Sequence, residues 1–106
     1  MVKKILTDAG FVENVTFKES RFLKPPRETF AVFLDAVNRR GADDINLITE
    51  HDVTIELYAY SPDSESEKRI EKAFDKFGIP YTKDPRVWIQ TEQLFQTIYV
   101  FDYVEK

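Results

Sequence analysis

The chain has no cysteine, three scattered glycines and a single histidine among its 106 residues. Without cysteine it forms neither a disulfide nor a thiolate nucleophile, and cysteine-based zinc sites are excluded. Three scattered glycines provide neither a glycine-rich phosphate loop nor a flexible linker. Any chemistry at this chain therefore relies on hydroxyls, carboxylates, amines or the one imidazole.

Long hydrophobic runs and an excess of positive charge are also missing. The apolar stretches are too short to span a bilayer and no signal-peptide core follows the N-terminus, so we expect a cytosolic protein without a membrane partner. The 15 basic residues stand against 19 acidic ones, which gives a formal net charge of −4. Domains that grip phosphates need a clustered basic surface, so sequence-specific nucleic-acid binding is not expected.

The composition that remains is typical of a folded globular protein, with 42% hydrophobic and 32% charged residues. Its length favours a single domain that spans residues 1–106. A chain of this size builds a two-layer core, and it is too short to place helices on both faces of a sheet.

Two segments have helical periodicity. Apolar residues recur at helical spacing from Val2 to Ala9, and Gly10 is placed to end this first helix. The second helix is predicted to begin at Ser61 as N-cap, with Pro62 in its first turn, and to end at Gly78. Its apolar stripe consists of Ile70, Ala73, Phe74 and Phe77.

Four segments have the composition of strands: residues 29–37, 51–61, 81–90 and 94–104. The alternation is cleanest in residues 53–60, where apolar and mostly polar side chains point to opposite faces. Residues 12–22 are a short strand or an extended segment, and the two prolines in residues 24–27 interrupt regular structure. Residues 38–46 are polar and are predicted to form a loop.

This order of elements predicts an α+β fold. The predicted sheet is mostly antiparallel and has about four strands, because strands adjacent in sequence tend to pair. Two helices pack on one of its faces, in the order α-β-β-α-β-β.

The stretch with the most reactive side chains includes Asp43, Asp44, Glu50, His51 and Asp52. Such a cluster could bind a hard divalent cation, which makes a metal-dependent hydrolase a remote alternative. However, adjacent strand residues point to opposite faces, so His51 and Asp52 would not converge. A solvated acidic loop is the favoured interpretation. We therefore expect no enzymatic activity, no catalytic or metal site and no cofactor.

The segment from Leu94 to Val104 is apolar on both of its faces. Two short helices cover one face of a sheet only, and the sequence does not decide which face of this strand they cover. The second face is covered either by residues 12–22 and the proline arm or by another subunit, and self-association is favoured. The candidate subunit-interface residues are Tyr58, Tyr60, Trp88, Phe95, Tyr99, Phe101 and Tyr103.

Three segments together resemble a known family: HDVTIELYAY (51–60), PDSESEKRIEKAFDKFGIPYTK (62–83) and WIQTEQLFQTIYVFDYVEK (88–106). They are similar to the tail terminator, or tail-completion, proteins of siphophages and related prophages. The likeness runs from about Phe30 to the C-terminus and lies in the types of strand and helix rather than in a catalytic signature. A head–tail connector protein of similar size, or a generic oligomeric interaction module, is the alternative.

The resemblance implies a structural protein that forms an oligomeric ring, typically a hexamer. The ring caps the tail tube and joins the tail to the filled head, so its partners would be the tail tube protein and the head–tail connector. The protein would be found in the host bacterial cytoplasm during assembly and then at the head-proximal end of the virion tail. The candidate partner-contact residues are Arg39, Arg40, Asp43 and Asp44 of the predicted loop, with Lys24 and Arg27 of the proline arm.

Overall fold

The computed structural model describes residues 1–40 and 48–105, and of Arg40 only the backbone. Within these residues the protein is an α+β fold of two helices and a six-stranded mixed sheet. The elements in chain order are α1 (Val2–Asp8), β1 (Phe17–Glu19), β2 (Phe30–Arg40), β3 (Ile48–Ala59), α2 (Ser64–Phe77), β4 (Thr82–Lys83), β5 (Val87–Ile89) and β6 (Leu94–Glu105).

The sheet has the strand order β1-β2-β3-β6-β4, and β5 pairs with β6 beside β4. The three long strands β2, β3 and β6 are antiparallel, as predicted. The predicted count of about four strands is wrong, since β1 is an additional short strand and the predicted strand at residues 81–90 is divided into β4 and β5. The mostly antiparallel prediction also fails at β1, which lies parallel to β2 because residues 20–29 carry the chain back along the sheet.

Cross-strand register assigns each side chain to a face. Phe33, Ile55 and Tyr99 lie opposite one another on the face that packs against both helices. Residues paired across strands share a face, so the intervening positions point to the other side. The core buried between sheet and helices contains Val2, Ile5, Leu6, Ala9, Ala31, Phe33, Val53, Ile55, Leu57, Ile70, Ala73, Phe74, Tyr99 and Phe101.

The helix ends show which residues stop each helix. Gly10, just after α1, has φ 98°, and Gly78, at the end of α2, has φ 66°, a left-handed conformation that glycine adopts without cost. The predicted N-cap Ser61 is wrong. Asp63 caps α2 instead, because its carboxylate accepts a 3.0 Å hydrogen bond from the backbone N–H of Ser66.

The helices are much shorter than the strands they cover. The 14 residues of α2 span about 21 Å, while the 12 residues of β6 span about 40 Å.

The predicted loop at residues 38–46 is wrong for its first part, since residues 38–40 continue the β2–β3 ladder. Residues 41–47 lie outside the described residues. Neither described helix is long and apolar enough to cross a membrane.

Candidate functional site

The side of the sheet that carries no helix is the candidate functional site, and we call it the open face. It consists of alternate residues of the three long strands, in cross-strand rows such as Leu34–Thr54–Val100. The connection between β1 and β2, residues 20–29, lies against one end of it and is called the arm. The two ends of the open face differ in their cover.

At the first end, the arm packs on an aromatic stack. The Phe22 ring meets Phe30 edge-on at 5.6 Å, and Phe30 stacks on Tyr58 at 5.2 Å. The Tyr60 hydroxyl donates a 2.7 Å hydrogen bond to the carbonyl of Pro26, which fixes the arm at a second point. The alternative that the arm covers the second face is therefore confirmed for this end.

A groove of about 610 Å³ runs between the arm and this end of the sheet. The Tyr58 hydroxyl donates to Glu56 at 2.8 Å, and the Gln96 amide donates to the same hydroxyl at 2.8 Å. Burial, together with the nearby Glu56 carboxylate, raises the pKa of Tyr58 to about 12, so the ring stays neutral. The Tyr58 hydroxyl is therefore a hydrogen-bonding group here rather than an acid or base at neutral pH.

At the second end, the open face carries apolar side chains that no described residue covers. Leu34 is 46% exposed, Val100 41% and Val104 54%. A strand face of this kind normally carries polar residues, because the alternation of an antiparallel sheet places its polar side chains in water. We call this set, together with the half-buried Ile98 beside it, the apolar strip: Leu34, Ala36, Ile98, Val100 and Val104.

Two carboxylates interrupt the apolar strip. Asp52 of β3 and Asp102 of β6 are cross-strand partners and therefore share the open face. Like charges directly opposite each other destabilise a sheet. Within residues 1–40 and 48–105, neither carboxylate forms an ion pair or a hydrogen bond. We call Asp52 and Asp102 the acid pair. A cation brought next to them by a partner would reduce the repulsion between the two carboxylates.

The structure corrects the predicted interface at its centre. Tyr99 and Phe101, which are 0% and 3% exposed, lie in the core against Phe74 of α2. They are enclosed by the chain itself and present no surface to a partner. Gln96 and Asp102 lie on the other parity of β6, but Thr97 lies on the buried one, so the pattern of β6 alone did not decide which face is buried.

The remaining predicted interface residues are divided between the two sides. Tyr58 and Tyr60 lie at the arm-covered end of the open face, as described above. Trp88 and Phe95 form a ring pair at 4.8 Å on the β5–β6 hairpin, in the parity of the helix side. Tyr103, of the same parity, stacks on His51. None of the five residues of the apolar strip was among the predicted interface residues.

Of the predicted partner-contact residues, Lys24 and Arg27 are exposed on the arm, and Arg39 is exposed near the end of β2. The side chain of Arg40 lies outside the described part of the chain, as do Asp43 and Asp44. The remote alternative of metal binding by Asp43 and Asp44 therefore falls outside the described residues.

His51, the single histidine, bridges two carboxylates beyond the helices. Its Nδ1 lies 2.9 Å from Asp35 Oδ1 and its Nε2 lies 2.9 Å from Glu105 Oε1, while Tyr103 stacks on the ring at 4.3 Å. A neutral imidazole has only one N–H, so only the imidazolium donates to both carboxylates. Burial alone lowers the pKa of His51, but the hydrogen bonds and charges of the two carboxylates raise it above its ordinary value.

This arrangement supports a structural role for His51 rather than a metal-binding one. The two carboxylates lie on opposite sides of the ring, and His51 and Asp52 point to opposite faces as predicted. Among the described residues, no three histidine or acidic side chains are arranged to hold a metal ion. The bridge instead ties together β2, β3 and β6.

A second charged cluster lies around Glu67, which is 5% exposed on α2. Its carboxylate accepts hydrogen bonds from Lys83 at 3.0 Å, from Arg86 at 2.9 Å and from Thr97 at 3.0 Å. Burial alone raises the pKa of Glu67, but the donors and the charges of Lys83 and Arg86 outweigh it and lower the pKa. Since both oxygens have donors, the cluster fastens the β4 edge to α2.

The sequence matches no known family profile and no characterised protein closely enough to assign a relative.

Proposed function

We propose that this chain is a structural subunit of a phage tail, a tail terminator that associates with copies of itself into a ring. The observation that carries the proposal is the open face, where the apolar strip is left uncovered beside the end that the arm covers. Apolar surface of this kind marks a protein contact more often than a catalytic pocket. The resemblance in sequence supplies the identity of the assembly.

The two ends of the open face offer two different patches. Its covered end is filled by the arm and its second end is bare, so one patch of a subunit can meet the other patch of the next subunit, as a ring requires. Contacts between two different patches propagate from one subunit to the next and close into a ring when the rotation permits. The ring would then cap the tail tube and meet the head–tail connector, without enzymatic activity.

Aspartate substitutions on the apolar strip test the proposal. Val100→Asp and Leu34→Asp place a charge on the surface that association would bury. Burying an unpaired carboxylate costs more than about 2 kcal/mol, so we expect the dissociation constant to rise more than about tenfold. Sedimentation velocity over a concentration series measures this, and circular dichroism verifies folding.

Val15→Asp is the matched control, because Val15 is 57% exposed and lies in the turn before β1, away from the open face. The control is expected to associate as the unmodified chain does. Equal association of folded Val100→Asp, Leu34→Asp and Val15→Asp variants would remove the apolar strip from the interface.

A further inference from the structure

The arm presents an exposed apolar tip between two fixed points. Phe22 is held by the ring of Phe30, and Pro26 by the Tyr60 hydroxyl. Between these anchors, Leu23 is 82% exposed, and Lys24 and Pro25 are also exposed. Anchoring on both sides pre-orders this tip, which lowers the entropy cost of placing it against a partner.

The tip is also basic. Arg21, Lys24 and Arg27 are cations of the arm, and within the described residues none of them forms an ion pair. A single exposed leucine is ordinary, but a leucine set among three unpaired cations is a distinctive feature. A surface that complements this tip would combine apolar side chains with negative charge.

The same chain carries that complementary surface. The apolar strip offers Leu34 and Val100, and the adjoining row brings Asp52 and Asp102 side by side. Both carboxylates lack a cationic partner within the described residues, as the arm lacks an anionic one. Contact between the two patches would pair their charges and bury Leu23.

The tip of the arm lies at the other end of the open face from the strip. The arm begins beside Leu34, where the Ser20 N–H donates a 2.9 Å hydrogen bond to the Phe33 carbonyl, but Phe22 is held at Phe30, about 13 Å from Leu34 along β2. The groove beneath the arm is lined by Val32 and Glu56 but by no member of the strip or the acid pair. Within the described residues, the tip therefore does not contact the strip of its own chain, and a second copy of the chain is the occupant that brings the matching charge.

We infer that the tip of the arm, Leu23 with Arg21, Lys24 and Arg27, docks on the apolar strip and acid pair of a second copy of this chain. Each subunit then gives an arm to one neighbour and receives an arm from the other. Because the occupant is a second copy, this inference rests on the proposed function, and it names the two surfaces that meet.

The absence of native cysteine allows a direct cross-linking test. The single variants Leu23→Cys and Val100→Cys are purified separately, mixed and oxidised. We expect a disulfide-linked dimer in the mixture, because the arm of one copy meets the strip of another, and none with either variant alone, because each variant has a cysteine on only one of these two surfaces. Val15→Cys mixed with Val100→Cys is the control, and it is expected to give no dimer.

The charge pairing is tested by Asp102→Asn, which removes one carboxylate of the acid pair. We expect the dissociation constant of self-association to rise roughly two- to fivefold, as for a solvent-accessible ion pair. Asp75→Asn on α2 is the matched control and is expected to leave association unchanged.

The outcomes separate this inference from the proposed function. Ring formation without a disulfide between the Leu23→Cys and Val100→Cys variants overturns the inference and leaves the proposed function standing. The cross-link in open chains that never close supports the inference and contradicts the ring. Failure of the chain to associate at all overturns both.

Discussion

At the scale of single residues, His51 shows how one side chain secures the projecting ends of the long strands. Both of its ring nitrogens face carboxylates, of Asp35 on β2 and Glu105 on β6, and Tyr103 of β6 stacks on the ring. No other titratable side chain is in hydrogen-bond contact with the imidazole within the described residues. This bridge depends on the proton that makes the ring an imidazolium.

The bridge predicts a pH dependence of stability. The pKa of His51 is raised in the folded state, so its contribution is fully present below the unfolded pKa of about 6.5 and is lost as pH rises through the folded pKa. Since His51 is the only histidine, NMR titration of its ring protons reads this pKa directly.

Asp35→Asn is expected to lower the pKa of His51, because it removes one of the two charges that hold the proton. A His51 pKa below about 6.5 in the unmodified chain, or one unchanged by Asp35→Asn, would contradict the bridge.

Glu67 provides a second prediction at this scale. Glu67→Gln removes the charge that pairs with Lys83 and Arg86, and we expect a loss of about 1–3 kcal/mol in the free energy of unfolding at neutral pH. Because the pKa of Glu67 is lowered, its contribution is present above the unfolded pKa and is lost as pH falls through the folded pKa.

Urea denaturation at several pH values measures this, and the difference between Glu67→Gln and the unmodified chain should shrink in acid. The exposed Glu65 supplies the control, since Glu65→Gln is expected to stay within about 0.5 kcal/mol. A loss that is equal for both substitutions would contradict the buried network.

At this scale, the sequence did not show which face of β6 is buried. Both faces of this strand are apolar, so the pattern alone did not show that Tyr99 and Phe101 are the buried set. Their burial is decided by register with β3, where Val53 and Ile55 already face the helices. The bridge of His51 was equally invisible, since its partners lie 16 and 54 positions away in sequence.

At the scale of elements, the start of α2 distinguishes two candidate caps. Asp63 accepts hydrogen bonds from the Ser66 backbone at 3.0 Å and from the Thr29 hydroxyl at 2.7 Å. Burial raises the pKa of Asp63, but these hydrogen bonds outweigh it and lower the pKa. The same carboxylate therefore caps the helix and joins it to the residue before β2.

Asp63→Ala is expected to destabilise the fold by about 1–2 kcal/mol, since it removes the cap and the bond from Thr29. Ser61→Ala, at the cap that the sequence predicted, is expected to stay within about 0.5 kcal/mol. Thermal unfolding of the two variants side by side measures the difference. A larger loss for Ser61→Ala would reverse the assignment.

The sequence predicted the elements better than their connections. Both helices, their glycine ends and the three long strands were predicted, because periodicity and capping are local. The parallel pairing of β1 was missed, since it depends on where the arm takes the chain. The strand at residues 38–40 was missed as well, because its polar residues are held by pairing with β3 rather than by their own preference.

At the scale of the whole molecule, the main feature is a sheet that is longer than the two helices that cover it. The helices enclose one face, the arm takes part of the other, and the apolar strip is left with its acid pair. Within the described residues, the basic tip of the arm lies at one end of the open face and the strip with its acid pair at the other. In the ring that we propose, every arm would lie on the strip of a neighbouring subunit.

Electron microscopy of the concentrated, purified protein is the first test of ring assembly, because it shows both the number of subunits and the closure of the assembly. The account predicts rings with a central opening, typically of six subunits. Monomers at every concentration, or dimers with two-fold symmetry, would contradict it.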